Sequence, residues 1–152
     1  MAEILPYLEG SFFALPLRGG GFARGVVARA APEGAVLYGY FFGPKLSFPN
    51  DGQLDDMRPD LAIAQMIFSD LALLNGEWKV LGSLPNWRRN DWRMPNFIRR
   101  DPIGKRAWLV RRSDVDPSRI DSEEPVAFET DLPLNTSSGY GSVEIKLTHI
   151  LR

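Results

Sequence analysis

The sequence predicts an α+β protein that is mainly β, either a twisted antiparallel sheet or a partly open barrel, with one C-terminal helix. Two observations favour this class. The 152 residues include 14 glycines and 12 prolines, which divide the chain into the short apolar segments typical of strands. One stripe of apolar residues at helical spacing lies near the C-terminus. We expect a single domain over residues 1–152, because this length suits one hydrophobic core.

Five apolar segments in the first part of the chain predict strands. The glycines at 19–21 indicate a hairpin turn between the first two, since glycine adopts positive φ freely. The fourth segment is apolar on both faces, which fits a buried strand or a buried helix, and its place among strands favours a strand. Asn75-Gly76 is a turn signal before the fifth. The segments are 11–17, 22–30, 35–42, 61–68 and 78–82.

The second part of the chain predicts two more strands, 97–100 and 107–112, joined by a turn. Residues 44–59 and 85–95 are polar and flanked by proline, so we expect loops, the second of them on the surface. Residues 113–134 are acidic, broken by proline and without periodicity. This pattern predicts an irregular segment that wraps the surface.

The C-terminal helix is predicted by apolar residues at i, i+4, i+7 and i+8. Ser142 is the expected N-cap, and Arg152 complements the negative end of the helix dipole. The stripe consists of Val143, Leu147, Ile150 and Leu151.

Charge and composition exclude several functional classes. The formal net charge of -1 offers no general attraction to nucleic acid or to an anionic membrane. The chain has no cysteine, which excludes disulfides, thiolate nucleophiles and cysteine-bound zinc. No apolar run approaches the roughly 20 residues of a membrane span, and the first residues lack the pattern of a signal peptide. We therefore expect a cytoplasmic protein.

No residue pattern in the chain carries a catalytic signature. The single histidine, His149, is expected to be half-exposed at the end of the helix. The glycines at 19–21 lack the Lys-Ser ending of a phosphate-binding loop. Asp55, Asp56 and Asp60 do not have the spacing of a calcium loop, so they indicate a solvated acidic loop. We expect no enzyme, no cofactor and no metal; a hydrolase using two facing carboxylates is the remaining catalytic possibility.

The charges are unevenly distributed along the chain. Nine basic residues lie in 86–112 among four aromatic residues, and seven acids follow in 113–134. We expect the acidic stretch to pair with the basic one; protein binding and single-stranded nucleic-acid binding by 87–112 are the alternatives. The candidate partner-binding residues are Asp55, Asp56, Asp60, Trp87, Arg88, Arg89, Trp92, Arg93, Glu123 and Glu124.

The first two strands resemble the opening of the immunity protein 26 family, bacterial proteins encoded beside polymorphic toxins. The similar segments are EGSFFALPL at 9–17 and GGFARGVV at 20–27, and further likeness lies in GEWKVLG at 76–82 and GKRAW at 104–108. The resemblance implies a protein that binds and neutralises a cognate toxin without catalysis. The toxin would contact either the acidic residues or the arginine-tryptophan loop, and an acidic patch would suit a basic toxin that cuts nucleic acid.

Overall fold

The computed structural model describes residues 4–152 and contains two β-sheets. The larger sheet has six strands in the spatial order β5-β1-β2-β3-β4-β9, and the smaller has the order β6-β7-β8. All pairings are antiparallel except that of β4 with β9. The strands are β1 (Ser11–Pro16), β2 (Phe22–Ala30), β3 (Val36–Leu46), β4 (Ala64–Ser69), β5 (Lys79–Ser83), β6 (Phe97–Asp101), β7 (Arg106–Ser113), β8 (Asp116–Val126) and β9 (Ser137–Ser138).

Two α-helices accompany the sheets, a short α1 (Leu71–Asn75) and the C-terminal α2 (Tyr140–Ile150). Single 3-10 turns lie at Leu54–Asp56, Pro59–Leu61 and Arg89–Asp91. Neither helix of the described chain has the length and hydropathy needed to cross a bilayer. The mainly β class with a C-terminal helix is confirmed, and the sheets do not close into a barrel.

Helix α2 covers one face of the larger sheet. Val143 and Leu147 of its apolar stripe are buried there with Phe13 and Phe68. Trp78 stacks on Phe13 with ring centroids 5.5 Å apart. This face forms the first hydrophobic core, and its burial holds the helix in place.

The smaller sheet packs against the opposite face of the larger one. Tyr38 and Tyr40 of β3 meet Phe97 of β6 and Val110 of β7 in a second core. The Tyr38 and Phe97 rings pack edge to face with centroids 5.9 Å apart. The second core therefore joins the two sheets.

The prediction of an irregular segment at 113–134 is wrong, because β8 occupies 116–126 and pairs with β7. A strand exposed on both faces has no apolar alternation, so its sequence carries no period-2 signal. Its prolines are tolerated because β8 is the edge of its sheet. The expected pairing of acidic and basic residues occurs across the strands, where Arg99 and Arg111 bind Glu123 and Glu124 at 3.0 and 2.8 Å.

One predicted strand boundary also differs from the structure. The strand expected at 61–68 begins at Ala64, because Pro59–Leu61 forms a 3-10 turn. Asn75-Gly76 forms the expected turn before β5, with Gly76 in the left-handed conformation at the end of helix α1.

The C-terminal helix also differs at both ends from the prediction. Gly139 is its N-cap in place of Ser142, so the helix starts at Tyr140. Ile150 was expected in the core but is half exposed, whereas Leu151, the next residue of the stripe, packs against the first core.

Candidate partner-binding cleft

Two of the sequence-predicted surfaces face each other across a cleft of about 540 Å³. One wall comes from the loop between β3 and β4, which carries the acidic residues, and the other from the loop between β5 and β6, which carries the tryptophans. The structure therefore brings Asp55 and Trp87 to one site. The lining residues are Leu54, Asp55, Met57, Arg58, Pro59, Leu84, Pro85, Asn86, Trp87 and Trp92.

The position of Trp87 depends on a glycine of the chain segment before β1. Gly10 has φ +90, and a Cβ on it would lie 2.9 Å from Cγ and Cδ2 of the indole. Only glycine permits both this backbone conformation and this approach. The Leu84 N–H donates to the Gly10 carbonyl at 2.9 Å, which holds the start of the loop against the same residue.

Trp92 forms the base of the cleft and belongs to the second core. It is 5% exposed and packs edge to face on Tyr40 and Phe42, with centroids 5.0 and 6.0 Å apart. Trp87 lies over Trp92 at 5.4 Å and stays partly exposed. The expectation that the whole 85–95 loop lies on the surface is wrong for Trp92. Burial of its large apolar ring is favourable, although the neighbouring residues are polar.

A network of ion pairs, in which only Arg29 is fully buried, fixes the tryptophan-bearing loop. Arg89 donates from Nε to Glu9 at 2.7 Å and from Nη1 to Asp114 at 2.6 Å. The buried Arg29 donates to the other oxygen of Asp114 at 2.7 Å and to the Trp92 carbonyl at 2.8 Å. The hydrogen bond from Arg29 lowers the pKa of Asp114 below its ordinary value, and the bond to Glu9 raises the pKa of Arg89. Arg89 therefore stabilises the loop within the chain.

The acidic wall is held by Arg24 of β2, which is 2% exposed. Its Nη1 and Nη2 donate to the carbonyls of Gln53 and Gly43 at 2.7 and 2.9 Å. Gly52 lies against the guanidinium so closely that a Cβ would clash with Nη1. Burial lowers the pKa of Arg24, and the Asp56 carboxylate at 4.0 Å opposes that shift. Arg24 thus anchors the loop through its backbone carbonyls, while the acidic side chains of the loop are exposed.

The exposed charges at the cleft differ in their partners. Asp55, Asp56 and Asp60 are all exposed, and Asp60 lies 3.6 Å from Arg58. Arg88 and Arg93 are exposed and form no ion pair with any residue of 4–152. Of these residues, only Asp55 and Arg58 line the cleft, so a carboxylate and a guanidinium lie on the same wall.

Some candidate residues lie outside the cleft. Glu123 and Glu124 are on β8 and bind arginines of their own sheet. His149 is exposed on α2 and lines a separate groove. In the part of the chain that the structure describes, no three His, Asp or Glu side chains gather in a way that would hold a metal ion.

The apolar lining of the cleft was missed from the sequence. Leu54, Met57 and Leu84 stand as isolated apolar residues in polar, proline-rich segments. Such isolated residues carry no periodic signal, although an apolar residue inside a polar loop often marks a contact with the core. Asn86 adopts φ 58, a conformation that asparagine tolerates better than most residues, and this turns the chain into Trp87.

Comparison with known proteins identifies the family to which the chain belongs. The family model described as Immunity protein 26 matches residues 8–109, a range that includes both walls of the cleft and the first half of β7. No curated protein and no solved structure matched the chain. Because the matched range covers well over half of the 152 residues, the chain belongs to the immunity protein 26 family.

Proposed function

We propose that this immunity protein neutralises a cognate bacterial toxin in the cytoplasm by binding it directly, with no chemistry of its own. The observation that carries the proposal is the family match, whose range contains the complete cleft. Inhibition by binding requires a pre-organised surface rather than a catalytic group. The cleft meets that requirement, because both of its walls are anchored by buried arginines.

We assign the toxin contact to the cleft because of its composition. Its base and sides are apolar, formed by Trp87, Trp92, Met57 and Leu84, and its rim is charged. Protein interfaces commonly place a tryptophan at the centre and polar residues around it. Trp87 is held in place and partly exposed, so it is the expected anchor for a protruding side chain of the toxin.

The acidic wall indicates the sign of charge on the partner's contact surface. Asp55, Asp56 and Asp60 are all exposed within one short segment, where Asp60 lies 3.6 Å from Arg58 and Asp56 lies 4.0 Å from Arg24. Exposed charges of one sign accelerate association with a partner of opposite sign. The favoured partner is therefore a toxin with a basic surface, as enzymes that cut nucleic acid commonly have.

The alternative of nucleic-acid binding by 87–112 has less support. Arg89, Arg99 and Arg111 form ion pairs with acids of the same chain. Arg100 and Arg112 donate hydrogen bonds to backbone carbonyls of residues 128, 130 and 117. Guanidinium groups already engaged in this way are not free to bind phosphates, so the segment lacks a continuous basic surface.

The test is co-expression with the polymorphic toxin gene nearest to the gene for this chain. Wild type should restore growth and co-purify with the toxin, and Trp87→Ala should lose both. Trp108→Ala is the matched control, since Trp108 is also partly exposed but lies on β7 outside the cleft. Equal rescue by both variants would show that the cleft is not the contact surface. Lack of rescue by wild type would show that this toxin is not the partner.

A further inference from the structure

Strand β4 and helix α2 border a groove of about 500 Å³ that shares no residue with the cleft. Residues 64–66 of β4 line one side. The other side is formed by Ile145, Lys146, His149 and Ile150 of α2.

The strand side of the groove is an incompletely paired sheet edge. β9 pairs only with Ile67 and Phe68 of β4. The chain before β9 is held on the smaller sheet, where the Ile98 N–H donates to the Pro133 carbonyl and the Asn135 N–H donates to the Ile98 carbonyl, both at 2.9 Å. Within 4–152, residues 64–66 therefore pair with β3 on one side and with no strand on the other. Alternate backbone groups on that side are free to pair with an added strand.

The uncovered edge of β4 and the edge strand β8 differ in their protection. The β8 edge carries Asp121, Glu123 and Glu124 and the proline at 125, features that discourage edge-to-edge pairing. Residues 64–66 are Ala-Gln-Met and carry no charge. An uncharged, accessible strand edge beside an apolar helix surface is the arrangement that accepts an extended peptide.

The helix side of the groove supplies apolar surface and positive charge. Ile145 and Ile150 are 57% and 50% exposed, although Val143 and Leu147 of the same helix are fully buried. Lys146 lines the groove and donates from Nζ to Ser138 Oγ at 2.9 Å, and His149 lies one turn further along the helix. No acidic residue lines the groove.

We propose that this groove binds an extended segment of a partner protein, which adds a strand to β4. The segment has apolar side chains at alternate positions, facing Ile145 and Ile150, and a carboxylate near Lys146 and His149. Alternation follows from the two-residue period of a strand, since one face of the added strand meets the helix. A second copy of this chain is the weaker occupant, because a symmetric pair would place like charges of the two grooves close together.

The experiment selects peptides from a phage-displayed random library of about 12 residues, long enough for one strand, on the immobilised full chain. A selected peptide is synthesised, and its Kd is measured by fluorescence anisotropy. Selected sequences should combine alternating apolar residues with at least one acid. Ile145→Asn should weaken binding about tenfold through loss of apolar contact, and His149→Glu should weaken it through charge.

Leu74→Asn is the matched control, because Leu74 of α1 is an apolar residue of similar exposure outside the groove. It should bind the peptide as wild type does. Hydrogen exchange should slow in residues 64–66 when the peptide is bound. The proposal is overturned if the library enriches no peptide, if Ile145→Asn binds as tightly as wild type, or if sedimentation shows a dimer that Ile145→Asn abolishes.

Discussion

Gly10 and Trp87 form a matched pair in which the backbone of one fits against the indole ring of the other. The Gly10 φ of +90 and the 2.9 Å approach leave no room for a side chain. Gly10 precedes β1, and Trp87 follows β5, the strand that pairs with β1. The contact therefore connects the first strand of the chain with the wall of the cleft.

Gly10→Ala should displace Trp87 and lower stability. A positive φ costs an alanine about 1 kcal/mol, and the clash with the ring adds about 1–3 kcal/mol. Gly19→Ala is the control, because Gly19 has φ +87 with no atom within 4 Å of the added Cβ. Urea unfolding should show the larger loss for Gly10→Ala, and tryptophan fluorescence should change only in that variant. Equal losses would show that Trp87 is not held by this contact.

The hydrogen bonds of Asp114 should make stability depend on pH. Arg29 and Arg89 lower the pKa of this carboxyl below its ordinary value of 3.8. A depressed folded-state pKa stabilises the protein above the unfolded value, and the contribution disappears as pH falls through the folded value. Because the side chain is 60% exposed, we expect Asp114→Asn to cost only about 1 kcal/mol at pH 7.

The measurement is urea unfolding of wild type and Asp114→Asn at pH 7 and at pH 3. The difference in unfolding free energy should be smaller at pH 3, because the Asp114 carboxyl of the unfolded chain is then mostly protonated and must lose its proton to form the same bonds on folding. Other acids titrate in both proteins and cancel in the comparison. A difference that stays constant between the two pH values would contradict the ionic role of Asp114.

The acidic wall should govern the rate of toxin binding. Asp55→Lys/Asp60→Lys is expected to slow association about tenfold or more at low salt, with little change in dissociation. Glu33→Lys/Glu77→Lys is the control, since both glutamates are exposed outside the cleft and the net charge changes equally. Stopped-flow fluorescence with an inactivated toxin measures both rates. If the two double variants associate equally slowly, total charge and not the cleft sets the rate.

The whole chain should unfold as one domain. The second core contains residues of both sheets, among them Tyr38, Tyr40, Phe97 and Val110, so neither sheet retains its packing alone. Thermal unfolding followed by circular dichroism and by tryptophan fluorescence should give one coincident transition. Two separated transitions would show that the smaller sheet unfolds independently.

The strands rich in apolar and aromatic residues were predictable from the sequence, and β8 was not. The hairpin of β1 and β2 has glycine at its turn and apolar residues along both strands, so local signals agree with the fold. β8 has charged residues on both faces and depends on its pairing with β7, a contact that no short window of sequence contains. Its existence is decided by tertiary pairing.

The cleft was predictable in its parts but not as a site. The acidic residues and the tryptophans were identified separately, about thirty residues apart. Their meeting depends on the burial of Arg24 and Trp92, which the polar sequence around them does not indicate. The sequence indicates Arg89 as a candidate partner contact, whereas its bonds to Glu9 and Asp114 lie within the chain.

The most direct test of the central claim is titration of the purified cognate toxin's own activity with this protein. We predict that inhibition is complete at one equivalent, that the toxin is recovered intact and active when the complex is dissociated, and that Trp87→Ala shifts the titration to higher concentration. A toxin that remains active in the presence of excess protein, or one that is recovered chemically altered, would contradict neutralisation by binding alone.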